Sequence, residues 1–213
     1  MIEQIANYPV QHFAQTAEEP RLIANSKATG GTLLGEIKHR IADCAAFDFC
    51  VAFVADGGLQ GLVDSFNELK KRGVRGRLLT STYLSFNSPE AFRKLLEYDN
   101  IEVRVFQGNL HAKGYVFDEG NTSTVIVGSS NMTQMALTCN REWNVLYRTF
   151  GESALLNDLK SEFERLWNDR STVKLSSEWI CEYERARKES PSVSVRRETY
   201  TDEATAAVSK DEI

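Results

Sequence analysis

Residues 47–54, Phe-Asp-Phe-Cys-Val-Ala-Phe-Val, form a short run that is almost continuously apolar and rich in aromatic and β-branched side chains. A half-exposed strand alternates apolar with polar residues, and a membrane span needs about 20 apolar residues, so this run predicts a strand covered on both faces of its sheet. The flanking sequence supplies the covering helices. Leu33, Leu34, Ile37 and Ile41 share one face of a helix over 32–42. After the run, Gly57 and Gly58 turn the chain into a helix over 59–72, where Leu59, Leu62, Val63, Phe66 and Leu69 repeat at helical spacing and Gly73 supplies the stop. A strand over 74–79, a helix from Ser88 through Leu96, a strand over 101–106, β-like runs over 112–117 and 123–127, a strand over 143–147 and a long helix over 152–167 follow. This alternation predicts an α/β domain with a mixed sheet between helix layers, whose ligands sit on loops beyond the strand ends.

With 213 residues, 42% of them hydrophobic and 26% charged, the chain is expected to form one compact domain. The pattern divides it into a polar lead-in (1–29), the α/β domain (30–168) and a C-terminal segment (169–213). The last 43 residues hold seven Lys or Arg and nine Asp or Glu, with little to bury beyond Trp179 and Tyr183. They read as partly helical, then flexible, and suit a linker to a further domain. Cys44, Cys50, Cys139 and Cys181 lack C-x-x-C spacing and are too few for a disulfide scaffold, so they read as reduced, mostly buried thiols. With no secretory signal pattern and no membrane-length run, the expected compartment is the cytoplasm. The net charge of −5 means that any contact with nucleic acid must come from a local basic patch. Lys70, Lys71, Arg72, Arg75 and Arg77 offer one, read either as cations at a helix C-terminus or as a strip tracking phosphates. Thr80 and Ser81, after a strand, are either part of a pocket mouth or an ordinary hydroxyl-rich turn.

The chemistry concentrates between His111 and Glu142. His111 and Lys113 are two apart in a β-like run and emerge on one face, which sets a nucleophile beside a positive charge. The run over 123–127 ends in Gly128-Ser129-Ser130-Asn131, where glycine permits a sharp turn and hydroxyl and amide groups can converge on an anion. Together they make a phosphate pocket. His12 and His39 have no such company and read as solvated, and Trp143 reads as core.

The order His111-x-Lys113, four residues, Asp118, then Gly128-Ser129-Ser130-Asn131, resembles the signature of the phospholipase D superfamily. Nine residues separate Asp118 from Gly128, where about six are usual, and we read the excess as a longer hairpin loop over 119–122. The wider runs 49–54, 79–84, 111–115 and 128–133 look more specifically like the N-terminal domain of bacterial DEAD/DEAH-type superfamily II helicases. They are similar, more loosely, to single-motif metal-independent nucleases and restriction endonucleases. The likeness spans residues 33–167 and implies a phospholipase D-like α/β/α sandwich with a mixed, largely parallel central sheet.

The resemblance also implies a homodimer that builds one site at its interface, because this chain carries a single motif where the superfamily pairs two. One His111 would attack phosphorus to give a phosphohistidine, and the other would protonate the leaving oxygen. Lys113 and Asn131 would bind the nonbridging oxygens, Glu142 would orient His111 through its far ring nitrogen, and Ser129, Ser130, Gly128 and Asp118 would support them. No metal or cofactor is implied. The implied partners are a second copy, nucleic acid and a covalently linked helicase domain. A non-cleaving nucleic-acid-binding or dimerisation module and a phospholipid phosphodiesterase are the alternatives, the last opposed by the lack of an amphipathic membrane-binding stretch.

Overall fold

The computed structural model describes residues 18–26, 31–83, 86–151 and 153–189. In chain order its elements are β1 (Arg21–Ile23), α1 (Leu33–Asp43), β2 (Ala46–Val51), α2 (Asp56–Gln60), α3 (Val63–Arg72), β3 (Arg75–Ser81), α4 (Pro89–Leu95), β4 (Ile101–Phe106), β5 (Lys113–Asp118), β6 (Thr122–Gly128), α5 (Gln134–Thr138), β7 (Asn144–Phe150), α6 (Ala154–Trp167), β8 (Thr172–Lys174) and α7 (Ser177–Glu189). The strands form one sheet in the order β1-β7-β6-β5-β2-β3-β4-β8.

The apolar run becomes β2, at the middle of the sheet. Phe47, Phe49 and Val51 point to one face and are buried, while Asp48 and Cys50 point to the other. On that second face Asp48 takes two hydrogen bonds from Arg77, at 2.7 and 2.8 Å, so the one charged residue in the run is neutralised where it is covered. The sheet is mixed, but it is not largely parallel as expected. Only β2 with β3 and β3 with β4 are parallel, and the other five pairings are antiparallel. The reason lies in the connections. Parallel neighbours need a crossover, which α2, α3 and α4 provide, whereas β5 and β6 are joined by three residues and can only run antiparallel.

Helix starts follow the side chains that cap them. Thr32, Ser88 and Ser153 accept from the backbone N–H three residues on, at 3.1, 2.9 and 3.2 Å. The single helix expected over 59–72 is instead two, broken at Gly61 and Leu62. Among the described residues the helices are unequally shared between the two faces. α1, α3, α4 and α7, with α2 and α5, pack on Phe47, Phe49, Tyr115 and Phe117, while α6 covers the other face alone, setting Phe163, Leu166 and Trp167 on Leu79 and Leu110. α6 reaches only the half of its face above β2, β3 and β4. Over the other half, Leu22, Val145 and Val127 stand in register across β1, β7 and β6 and are exposed.

Both flanking segments contribute to the domain. Arg21–Ile23, in the expected lead-in, adds β1 to the β7 edge. The expected tail adds β8 to the β4 edge and then α7, in which Ile180 and Tyr183 are buried and Trp179 packs edge-on against Phe92 at 5.5 Å. The Tyr183 hydroxyl donates to the Asn87 carbonyl at 3.1 Å. Of the cysteines, all free, Cys44 is buried and burial pushes its thiol up to about 11, but Cys139 and Cys181 are exposed, contrary to expectation. His39 is exposed, and His12 lies outside the described residues. Among the described residues no helix is long and apolar enough to cross a membrane.

If α7 belongs to the cooperative unit, Phe92→Ala, which removes the ring that Trp179 and Tyr183 cover, is expected to cost about 3–5 kcal/mol in urea unfolding. Deleting residues 172–189 is expected to lower the urea midpoint as well. An unchanged midpoint after that deletion would show that the segment stabilises nothing.

Candidate active site

Val51, the last residue of β2, pairs with Lys113, the first of β5, so Phe53 and His111 lie just beyond the same end of the sheet. Lys113 belongs to the apolar face. Its stem is buried, and its ammonium turns back to donate to the His111 carbonyl at 2.6 Å. Burial pulls its pKa below the ordinary lysine range, an effect that the nearby Glu142 carboxylate partly offsets. The Lys113 Nζ also lies 6.0 Å from the Phe53 ring centroid. His111 is exposed. Its ring stands steeply against Tyr83 (5.7 Å, 67°) and Phe53 (6.3 Å, 74°).

The second half of the site follows β6. At Gly128 a Cβ would fall 2.2 Å from the Trp143 carbonyl oxygen and 2.4 Å from Asn144 Oδ1. The backbone there is not left-handed, so the glycine serves close approach of β6 to β7 and not a turn. That approach lets Ser129 N–H donate to the Trp143 carbonyl, and Trp143 N–H donate to Ser129 Oγ, both at 3.1 Å. The Ser129 hydroxyl in turn donates to Glu142. Glu142 is therefore engaged with Ser129, where a hydrogen bond with His111 was expected. Ser130 is buried, its hydroxyl donating to the Ala136 carbonyl at 3.2 Å and accepting from Asn144 at 2.9 Å, so it holds the loop and does not face a ligand.

Asn131 is the informative member. Its Oδ1 accepts from the Phe53 N–H at 3.1 Å, which leaves the two amide protons of Nδ2 directed away from that bond. Met132 N–H donates to the Phe53 carbonyl, and Ala55 N–H to the Met132 carbonyl, each at 3.0 Å. The structure thus gathers an imidazole, a buried ammonium and an amide donor at one end of the sheet, with the chemistry to bind a tetrahedral anion and attack its centre.

Other expected members lie elsewhere. Asp118 ends β5, five residues from Lys113 and so about 17 Å away along the strand. Its carboxylate accepts from Gly120 N–H at 2.9 Å and shapes the hairpin loop, whose glycine has φ +83°. Thr80 and Ser81 are fully buried, with both hydroxyls donating to the Ala52 carbonyl at 3.2 and 3.3 Å, so they fasten strand ends beneath the site.

The basic strip sits at the amino end of β3, opposite His111, and four of its five charges are engaged. Arg72 donates to the carbonyls of Ile41, Ala42 and Cys44 at the end of α1 (3.2, 2.6 and 2.8 Å). Arg77 pairs with Asp48 and Glu164, Lys70 with Asp99 and Lys71 with Glu68, while Arg75 is exposed. The helix-terminus reading fits these placements, and a phosphate strip continuous with the site does not. A cavity of about 790 Å³ opens at this opposite end, lined by Asp48, Arg75, Asn100 and Asp118 among others, and does not include His111.

Phe53 and Tyr83 are missed by sequence reasoning as site residues. The available signal was an aromatic residue directly after the end of a strand, which in Phe53 was absorbed into the apolar run. Trp143, expected in the core, is 74% exposed.

The family described as "Cardiolipin synthase, PLD-like domain" matches residues 41–167, six-tenths of the chain. No curated protein matches the chain significantly by sequence. Among solved structures the fold is similar to NucT from Helicobacter pylori (TM-score 0.56, 16% identity, 73% of this chain and 98% of that one). It is similar also to Nuc, a phospholipase D family member from Salmonella typhimurium (0.54, 19%, 75% and 99%), and to phosphatidylserine synthase from Haemophilus influenzae (0.54, 14%, 83% and 46%). At these identities the likeness is one of fold.

Because burial lowers the Lys113 pKa, its charge is lost at a lower pH than that of a solvated lysine. Binding of inorganic phosphate, followed by calorimetry, is therefore expected to weaken as pH rises, with a midpoint below that of a solvated lysine. Lys113→Arg is expected to extend binding to higher pH, and a pH profile identical in the two proteins would show that Lys113 does not carry the anion.

Proposed function

The chain belongs to the PLD-like domain family, and on that footing we propose that it is a metal-independent phosphodiesterase that cleaves nucleic acid through a phosphohistidine, at a site completed by a second copy. The observation that carries this reading is Asn131. The Phe53 N–H takes its carbonyl oxygen, which leaves its amide protons for a phosphate oxygen, and the Phe53 ring lies 6.0 Å from the Lys113 ammonium and 6.3 Å from the His111 ring.

In the first step an imidazole nitrogen of His111 attacks phosphorus and the P–O bond to the leaving group breaks. The leaving oxygen takes a proton from a second imidazole, which His111 of the partner subunit supplies. In the second step that same imidazole accepts a proton from water as the water oxygen attacks phosphorus and the P–N bond breaks, returning both histidines to their starting states. Negative charge grows on the nonbridging oxygens in each transition state, where Lys113 and the Asn131 amide act. The Ser129–Glu142 pair buttresses the loop that presents them.

A twofold contact has a face available. The exposed row of Leu22, Val145 and Val127 continues into Trp143, whose N–H bonds Ser129 at the edge of the site. A second copy seated on this row would cover apolar surface and bring its own His111 toward the first. The likeness of residues 49–54, 79–84, 111–115 and 128–133 to helicase N-terminal modules supports a place in a helicase-containing protein, and the free thiols favour a reducing, cytoplasmic setting.

Incubating the protein with end-labelled single- and double-stranded DNA in EDTA tests the proposal. Wild type is expected to cleave, His111→Ala to lose about 10²–10⁴-fold in rate, and Asn131→Ala about 10²–10³-fold. Retarded but intact DNA with the wild-type protein would replace the nuclease with a binding module. Sedimentation is expected to show a dimer at assay concentration, and Trp143→Asp to shift it toward monomer with loss of cleavage. Undiminished cleavage by a monomer would end the two-imidazole scheme.

A further inference from the structure

The reaction at phosphorus needs an imidazole, a cation and an amide, yet His111 is walled by aromatic rings. Phe53 follows β2, Tyr83 and Phe86 follow β3, and all three are partly exposed. The Phe53 and Tyr83 rings are nearly parallel, 15° apart with centroids separated by 6.0 Å, and Phe86 closes against Phe53 edge-on at 5.0 Å. The imidazole stands steeply to both stacked rings, its centroid 5.7 Å from that of Tyr83. Two nearly parallel π-faces therefore stand beside the nucleophile, with centroids 5.7 and 6.3 Å from that of the imidazole. An aromatic wall exposed to water beside a phosphate pocket costs solvation unless something flat covers it.

Resting on the nuclease reading above, we infer that Tyr83, backed by Phe53, is a stacking platform for the base next to the scissile phosphate, and that the substrate is single-stranded nucleic acid. In a duplex both faces of each base are already covered by its neighbours, so only a single strand, a loop or an end can offer a face to a protein ring. Base stacking of this kind is indifferent to base identity, so the site would select strandedness and not sequence. A lipid phosphodiester has no planar group to place there.

The test compares a single-stranded oligonucleotide with the same strand carrying abasic nucleotides on either side of the cleaved phosphate, using wild type, Tyr83→Leu and Tyr83→Phe. Wild type is expected to prefer the base-bearing strand by about 5- to 150-fold in kcat/KM, Tyr83→Phe to keep that preference, and Tyr83→Leu to lose most of it. If Tyr83→Leu slows both substrates equally and the preference survives, the ring serves only to hold His111 and the inference is overturned. If wild type cuts the intact and abasic strands alike, it is overturned too. Binding of the two strands by wild type, read by fluorescence polarisation, separates the two readings. A base-dependent affinity without cleavage upholds the platform and refutes the nuclease, whereas cleavage without base-dependent affinity or rate does the reverse.

Discussion

The joint between the segments leaving β2 and β6 organises the site. In the sheet these strands are separated by β5, but past the first residue of β5 their extensions meet directly, with Val54 bridged to Met132 and the Asn131 amide on the Phe53 backbone. The chain entering β5 cannot continue in the plane of the sheet, because that place is taken. It leaves to one side, which carries His111 out to solvent while Lys113, two residues later, is already packed against the apolar face. Gly58 belongs to the same joint. A Cβ there would fall 2.2 Å from the Met132 carbonyl oxygen, so α2 can press on the joint only as a glycine helix start. One backbone contact thus fixes the relative position of the imidazole, the ammonium and the amide.

The chain is acidic overall, and the charges around the candidate site are short-range ones. The net charge of −5 gives no help at long range. Among the described residues, most of the arginines and lysines pair with carboxylates or helix ends, as with Arg77 between Asp48 and Glu164, its guanidinium 4.8 Å from the Phe163 ring centroid. Lys113 is different in being buried, with the His111 carbonyl accepting its hydrogen bond, which leaves its charge less compensated than those of the surface pairs. A charge of this kind is screened less by salt than the exposed pairs, so it acts most strongly on groups in direct contact with it.

What the sequence disclosed and what it hid follow from locality. His111 with Lys113, and Gly128 through Asn131, were legible because each pair or run is contiguous and lands at one strand end. Asp118 was misplaced because a fixed sequence interval inside a strand becomes distance, carrying it to the other end of the sheet. Glu142 was placed near the site, but its partner is settled by the β6–β7 approach at Gly128, which no local pattern encodes. The helices and central strand were readable from periodicity. The sheet's direction was not, since the antiparallel β5-β6-β7 half depends on how short the connections are once strands extend to Thr122 and Asn144. A partly helical C-terminal segment was legible, but not that α7 joins the core, because Trp179, Ile180 and Tyr183 are few apolar residues in a charged segment and it is the Phe92 surface that makes them core.

The placement of α7 has a bearing on how such a domain can be built into larger architectures. It packs with α4 on the heavily covered side of the sheet, whereas the bare apolar row of Leu22, Val145 and Val127 belongs to the side that α6 only half covers. α7 and that row therefore lie on opposite sides of the sheet. A surface that met the row would leave α7 untouched.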